Sequence, residues 1–339
     1  MIRTRGACNP VLVFIFLLSV VPVSFGEDLP VKLHRQGARI DVSIGGKLFT
    51  SYYFGKELPK AYFHPLRSAR GTVVTRGFPM RTDIPGERTD HPHHRGMFFG
   101  HGSINGVDFW AEEPRPGSEH QAVINGVRCT TEGLPAGRTV LRKIVRIKSG
   151  RDAGTVLAAF NLVGPDGKII ARQDQSFTFR GDKLSRTIDC EFTIQALPGP
   201  VKMEDTKEGT FAIRLATALQ EPDGHMSNSE GSVGEKQIWG KRADWVDYSG
   251  TVEGEKLGVA IFDHPSNPKH PTYWHARGYG LFAVNPFGEH DFYKDNTRDG
   301  GVTIPAGGTM VLRYRVFIHS GDASEAAVAE AYKRYADQK

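Results

Sequence analysis

The sequence predicts an all-β protein, a large antiparallel β-sandwich with one C-terminal helix, from three observations. Apolar and polar residues alternate at period two along most of the 339 residues. Turn signals interrupt that alternation at short intervals, drawn from a generous supply of 39 Gly and 20 Pro. No GxGxxG or P-loop motif occurs, so nothing indicates a nucleotide-binding parallel sheet.

Ala38–Ile44 and Lys47–Tyr53 flank Gly45-Gly46, the pattern of a hairpin. Val140–Lys148 alternates Arg or Lys with aliphatic residues. Thr155–Val163 and Lys168–Phe179 form a second hairpin around Gly164-Pro165-Asp166-Gly167, and Thr187–Gln195 follows the turn Arg180-Gly181-Asp182. Phe211–Leu219, Leu257–Asp263, Gly280–Val284 and Thr309–His319 complete the strands. The helix is expected from Glu325 to about Asp337. Ser324 would cap it, and Val328, Ala331, Tyr332 and Tyr335 share one face that would cover a sheet edge. Residues 80–120 depart longest from strand pattern, and long loops on a rigid scaffold carry function.

Composition narrows the function. A formal net charge of +5 is too weak for a nucleic-acid binder that works by phosphate neutralisation. Residues 1–26 read as a secretory signal peptide. Arg3 and Arg5 precede the apolar run Val11 to Val21, and the small residues Ser24 and Gly26 precede a cut before Glu27. The expected location is the periplasm or the exterior, with no membrane attachment after cleavage. Residues 27–339 are then expected to form a single β-sandwich domain. Of its two cysteines, Cys190 alternates with Ile188, Phe192 and Ile194 on one strand face. Two buried thiols are therefore expected in preference to a Cys129–Cys190 bridge.

Histidine is the informative residue. His91, His93, His94 and His101 crowd one segment, and His264, His270, His275 and His290 another, both rich in Gly, Pro, Asn and aromatics. Imidazole can act as acid, base or metal ligand near neutrality. In an extended chain His91 and His93 face one way and His94 the other, so they can meet only if the backbone turns. Arg95 offers a planar fork of donors for a carboxylate or vicinal hydroxyls. Trp110, Tyr273 and Trp274 are candidate stacking platforms for sugar rings, while Trp239 and Trp245 read as core. The bland reading of any one of these histidines is a ring satisfied by a backbone carbonyl, but their joint density favours a shared pocket. Serine and cysteine nucleophiles are not indicated, because there is no GxSxG and neither cysteine has a local signature.

The run from His91 to Trp110 (HPHHRGMFFGHGSINGVDFW), with Phe262-Asp263-His264-Pro265-Ser266-Asn267-Pro268 and Asn285-Pro286-Phe287-Gly288, resembles a family of secreted bacterial proteins described as methane oxygenase PmoA-like. That family is common in polysaccharide-degrading bacteria and has no defined activity. The methane monooxygenase subunit behind the label is an integral membrane protein. No stretch after the signal is apolar enough to cross a bilayer, so that chemistry is not expected here. A second likeness is to aldose epimerases (galactose mutarotases), which carry a His in a Gly-rich loop before Gly-Phe-x-x-x-x-Trp, a second His, and a late Glu. His101 with Gly106 to Trp110 is similar to the first element, His264 or His275 to the second, and Glu289 to the carboxylate. This likeness implies a β-supersandwich and sugar chemistry.

The expected function is therefore a carbohydrate-active enzyme on a small carbohydrate or oligosaccharide. His101, His264, His275 and Glu289 would serve as acid–base residues. His93, His94, Arg95, Asn105, Trp110, Tyr273 and Trp274 would bind substrate, with no cofactor. Two alternatives stand beside it. One is a non-catalytic sugar-binding module. The other is an oxidoreductase or hydrolase with a single transition metal ion on His91, His93 and His101.

Overall fold

A computed structural model describes the backbone of residues 27–112, 121–124, 127–130 and 134–338, and the side chains of 27–112 and 134–338. The signal-peptide expectation and the side chain of Cys129 lie outside the described residues. Two eight-stranded antiparallel sheets dominate. The first runs, edge to edge, Val31–Gln36, Arg39–Ile44, Lys47–Tyr53, Tyr62–Phe63, Met97–His101, Gly209–Arg214, Leu281–Val284 and Trp274–Ala276. The second runs His225–Asn228, Trp245–Val252, Glu255–Asp263, Thr309–Ser320, Ser185–Ala196, Ile169–Gly181, Gly154–Val163 and Arg138–Lys148. The expected all-β antiparallel sandwich is what forms.

The sheets face each other because alternation gives each an apolar side. Ser185–Ala196 buries every second residue, with Ile188, Cys190, Phe192 and Ile194 in the core. Aromatic pairs join the layers. Phe99 meets Phe192 at 4.4 Å between centroids, and Phe211 stacks on Tyr314 at 5.4 Å. The buried Tyr52 hydroxyl donates to Gln175 Oε1 at 2.7 Å, so a polar group crosses the core satisfied. The Cys190 thiol sits in this core, where burial pushes it well above its usual value.

The two outer faces differ. The C-terminal helix Val328–Ala336 packs Val328, Ala331, Tyr332 and Tyr335 on Ala260, Phe262 and Phe317 of the second sheet. It covers a sheet face rather than an edge, and it starts later than expected because Ala327 sits in the left-handed region at φ 49°. No side chain caps the helix, and Asp322 instead accepts from the amides of Ser324 and Glu325 in the turn before it. Among the described residues the outer face of the first sheet carries no long helix. There Tyr62, Phe98, Trp110, Ala212, Leu281 and Ala283 form a separate apolar cluster. Among the described residues no helix is long and apolar enough to cross a membrane.

Candidate functional site

The site is built on that second apolar surface. Strand register aligns Tyr62, Phe98, Ala212, Ala283 and His275 in one row across five strands. The two alanines in the middle of the row keep the sheet surface low. Arg214 projects from the end of Gly209–Arg214 on the same side.

Residues 90–96 make a tight turn over this floor. The His94 amide donates to the His91 carbonyl and the Arg95 amide to the His93 carbonyl. His91 adopts φ 46°. Gly96 is required at φ 52°, since a Cβ there would stand 2.1 Å from the Phe63 carbonyl oxygen. The turn is what brings the three imidazoles together. His91 stacks on His94 at 4.9 Å and 5°, and His93 stands edge-on to both at 5.7 and 4.4 Å. Tyr279 extends the stack beyond His91, and Phe98 extends it beyond His94.

Charge fixes the turn from below. Arg76 and Arg214, both wholly buried, converge on one oxygen of Asp90 at 2.8 and 2.9 Å. Arg76 also donates to the carbonyls of Asp90 and His91. Burial pushes the Asp90 carboxyl up, but Arg214, His91 and Arg88 outweigh it and hold it at about 2. Burial, with Arg76 close by, lowers Arg214 to about 10. Arg214 Nη1 faces His94 Nδ1 at 3.2 Å. A guanidinium can only donate, so Nδ1 is the acceptor and the His94 proton sits on Nε2. Burial, then His93 and Arg214, hold His94 well below its usual value and keep it neutral. His91, with its side chain 39% exposed, is lowered by burial and partly restored by Asp90. Burial and the nearby Glu208 push Tyr279 up to about 12.

Beside the turn lies a hollow of about 530 Å³ lined by Glu57, Pro59, Pro92, His93, Arg95, Glu112, Ala136, Gly137 and Arg138. Arg95 clamps Glu112 with bonds of 2.7 to 2.9 Å, and buried Lys60 approaches the same carboxylate at 3.3 Å. Burial pushes Glu112 up, yet the two cations hold it below the usual carboxylate range. Burial lowers Lys60, against the pull of Glu112. The Glu112 carboxylate on this wall is thus held ionised, its charge balanced by Arg95 and Lys60.

The expected site residues divide. His91, His93, His94 and Arg95 gather here, and Trp110 packs edge-on against His94 as a wholly buried wall rather than an open platform. His275 shares this face of the sheet at the far end of the row, against Trp239 and Phe292. His101 follows the parity of Met97 and Phe99, so it turns inward. Its Nε2 pairs with the Glu204 carbonyl at 2.8 Å, and burial lowers it to about 4. His264 lies on the other sheet beneath the terminal helix, held by Ser266 and the Gln338 carbonyl. Trp274 is core, donating to the Ala243 carbonyl. Tyr273 is buried against Phe292 and bonds Tyr293. Asn105 pins a turn to the backbone at Pro200 and Lys202. Glu289 is held by Lys269 at 2.9 Å. The alternative ligand trio His91, His93 and His101 does not assemble, because His101 faces the core. Among the described residues no three His, Cys, Asp or Glu side chains are grouped to hold a metal. Asp90, Arg76, Arg214, Glu208 and Tyr279 were not legible as site residues. The one local signal was Asp90 directly preceding the histidine run.

A family model matches residues 39–333. The chain belongs to DUF6807, a family of unknown function. No curated protein matches this DUF6807 chain in sequence. Among solved structures it is similar to a galactose mutarotase-like protein from Clostridium acetobutylicum, at 10% identity and a TM-score of 0.41, over 86% of this chain and 99% of that one. A galactose mutarotase-like protein from Lactobacillus casei also aligns at 10% identity, with a TM-score of 0.37, over 85% and 100%. A GH36 α-galactosidase from Geobacillus stearothermophilus in complex with stachyose aligns at 10% identity and 0.38, over 88% of this chain and 42% of that one. The chain thus spans about two fifths of that enzyme. None of these matches carries the PmoA-like description.

Proposed function

We propose that the protein is an exported, carbohydrate-active enzyme whose proton transfers run through the histidine turn. The observation that carries this reading is the turn itself. Its three imidazoles lie within 5.7 Å of one another, and His93 opens into a polar hollow of about 530 Å³. Sugars present hydroxyl donors and acceptors together with acid-sensitive ring and glycosidic oxygens. Glu112, held ionised, accepts a hydroxyl and fixes the ring. His93 delivers the proton to the ring or leaving oxygen. Glu208, close enough to His91 and Tyr279 to bias both, serves in this reading as the carboxylate partner, since its own lysine, Lys207, stands at 4.0 Å whereas Lys269 bonds Glu289 at 2.9 Å. Asp90, Arg76 and Arg214 position the turn without touching substrate.

Positioned proton transfers contribute about 10²–10⁴-fold each. His93→Ala and Glu208→Gln are therefore expected to lose at least about 100-fold in turnover. The assay is a panel of aldoses and glycosides, followed by anomer exchange and by sugar release, with circular dichroism to confirm the fold. Full turnover in both variants would remove these roles. Saccharide binding by the wild type with no turnover on any member of the panel would favour a binding module.

A further inference from the structure

We propose that the edge strand Arg138–Lys148 is a docking track for an acidic polysaccharide. This strand is the outermost of the second sheet, and it pairs with Gly154–Val163 through two register shifts, at Leu141/Lys143 and Ile144/Arg146. Strict alternation from the buried Thr139 would send Leu141, Lys143, Val145 and Ile147 inward, burying a lysine and leaving Ile144 outside. The two bulges re-phase the strand. Leu141, Ile144 and Ile147 now pack against the core. Lys143, Arg146 and Lys148 lie across from Ala159, Leu157 and Thr155, all on the outer face. Those partner positions are two residues apart, so the cations recur at about 7 Å.

Arg138 begins the same row, across from Val163, and it lines the hollow beside His93. A line of positive charge therefore leads from the hollow along the sheet edge, interrupted once at Val140. The bulge residue Arg142 adds another exposed cation. Arg142, Lys143, Arg146 and Lys148 make no ion pair with a described residue. Of the neighbouring carboxylates, Asp152 is engaged by Arg151, and Asp174 lies one strand further in, on Ile169–Gly181. A lone lysine is enough to deter edge pairing. Two bulges that turn three successive cations to one side do more than that.

The head of the track selects the polymer. In the hollow Glu57 and the ion-paired Glu112 accept hydroxyls, while Arg95 and Arg138 continue the positive charge of the track. The combination suits a hydroxyl-rich chain with spaced acid groups, whether carboxylates or sulfate esters. The saccharide reading of the hollow is shared with the proposed function, but the track rests on the strand's own geometry. Polymer retention tests the track, and turnover tests the histidine turn.

The experiment compares the protein with its Lys143→Glu/Arg146→Glu variant on immobilised polygalacturonate, a sulfated galactan, neutral dextran and double-stranded DNA. The wild type is expected to bind one or both acidic polysaccharides and to elute with salt, while dextran does not retain it. Which of the two binds better identifies the acid group. The double variant is expected to bind at least tenfold more weakly, with the fold and turnover on short neutral saccharides unchanged. Equal retention of variant and wild type would overturn the proposal, as would wild-type binding to dextran as tight as to the acidic polymers. Binding to DNA as tight as to either polysaccharide would overturn it too, by making the strand an unselective cationic patch.

Discussion

Replacing His101 with glutamine should make the fold less sensitive to acid. The His101 ring is wholly buried, and burial lowers it from 6.5 to about 4, while its Nε2 bonds the Glu204 carbonyl. A glutamine amide can donate to the same carbonyl without titrating. Because the folded-state value is depressed, the unfolded chain takes up this proton first. The contribution is complete above pH 6.5 and is lost as pH falls toward 4. The wild type should lose about 2 kcal/mol at pH 5, and about 3 kcal/mol by pH 4, relative to its own stability at neutrality. Urea unfolding of both proteins from pH 7.5 to 4 measures this as a difference. Other titrating groups, such as His64, which burial also lowers to about 4, then cancel. A wild-type minus variant difference that does not change with pH would refute the reasoning.

Two further outcomes follow from the geometry. Asp90→Ala leaves the buried guanidiniums of Arg76 and Arg214 without their shared carboxylate. It should cost about 3–5 kcal/mol in urea unfolding, and a loss below 1 kcal/mol would show that the pair is not held by Asp90. Trp274→Ala should cost about 3–5 kcal/mol as a core truncation while the folded protein keeps the saccharide binding proposed above. Lost binding with little change in stability would return Trp274 to the role of a sugar platform.

The strands legible in the sequence were those with one dry and one wet face. Lys47–Tyr53 appears at its expected bounds, and Thr309–Ser320 and Ser185–Ala196 differ from theirs only at the ends. Met97–His101 was hidden inside the long loop region because both its faces are covered, which erases the alternation. Phe211–Leu219 was read too long. The strand stops at Arg214, and Thr217–Leu219 closes a 3-10 turn. The histidine turn was legible by residue type, and the need for a backbone turn by strand geometry. Its supports were not, because Arg214 lies 124 residues from Asp90 and a single arginine carries no local pattern. The second histidine-rich segment misled for a topological reason. It runs from Asp263 at the end of a strand in one sheet to Trp274 in the other, so its rings are divided between opposite sides of the sandwich.

The clasp of Arg76 and Arg214 on Asp90 also dictates an order of assembly. The imidazoles come from one short segment, which its own turn bonds and Arg76 hold only in part. The second anchor, Arg214, arrives only when Gly209–Arg214 zips alongside Met97–His101. A chain cut before Gly209 would retain every ring of the turn but only one of the two guanidiniums on Asp90, so the fully braced turn should be among the last features acquired during folding.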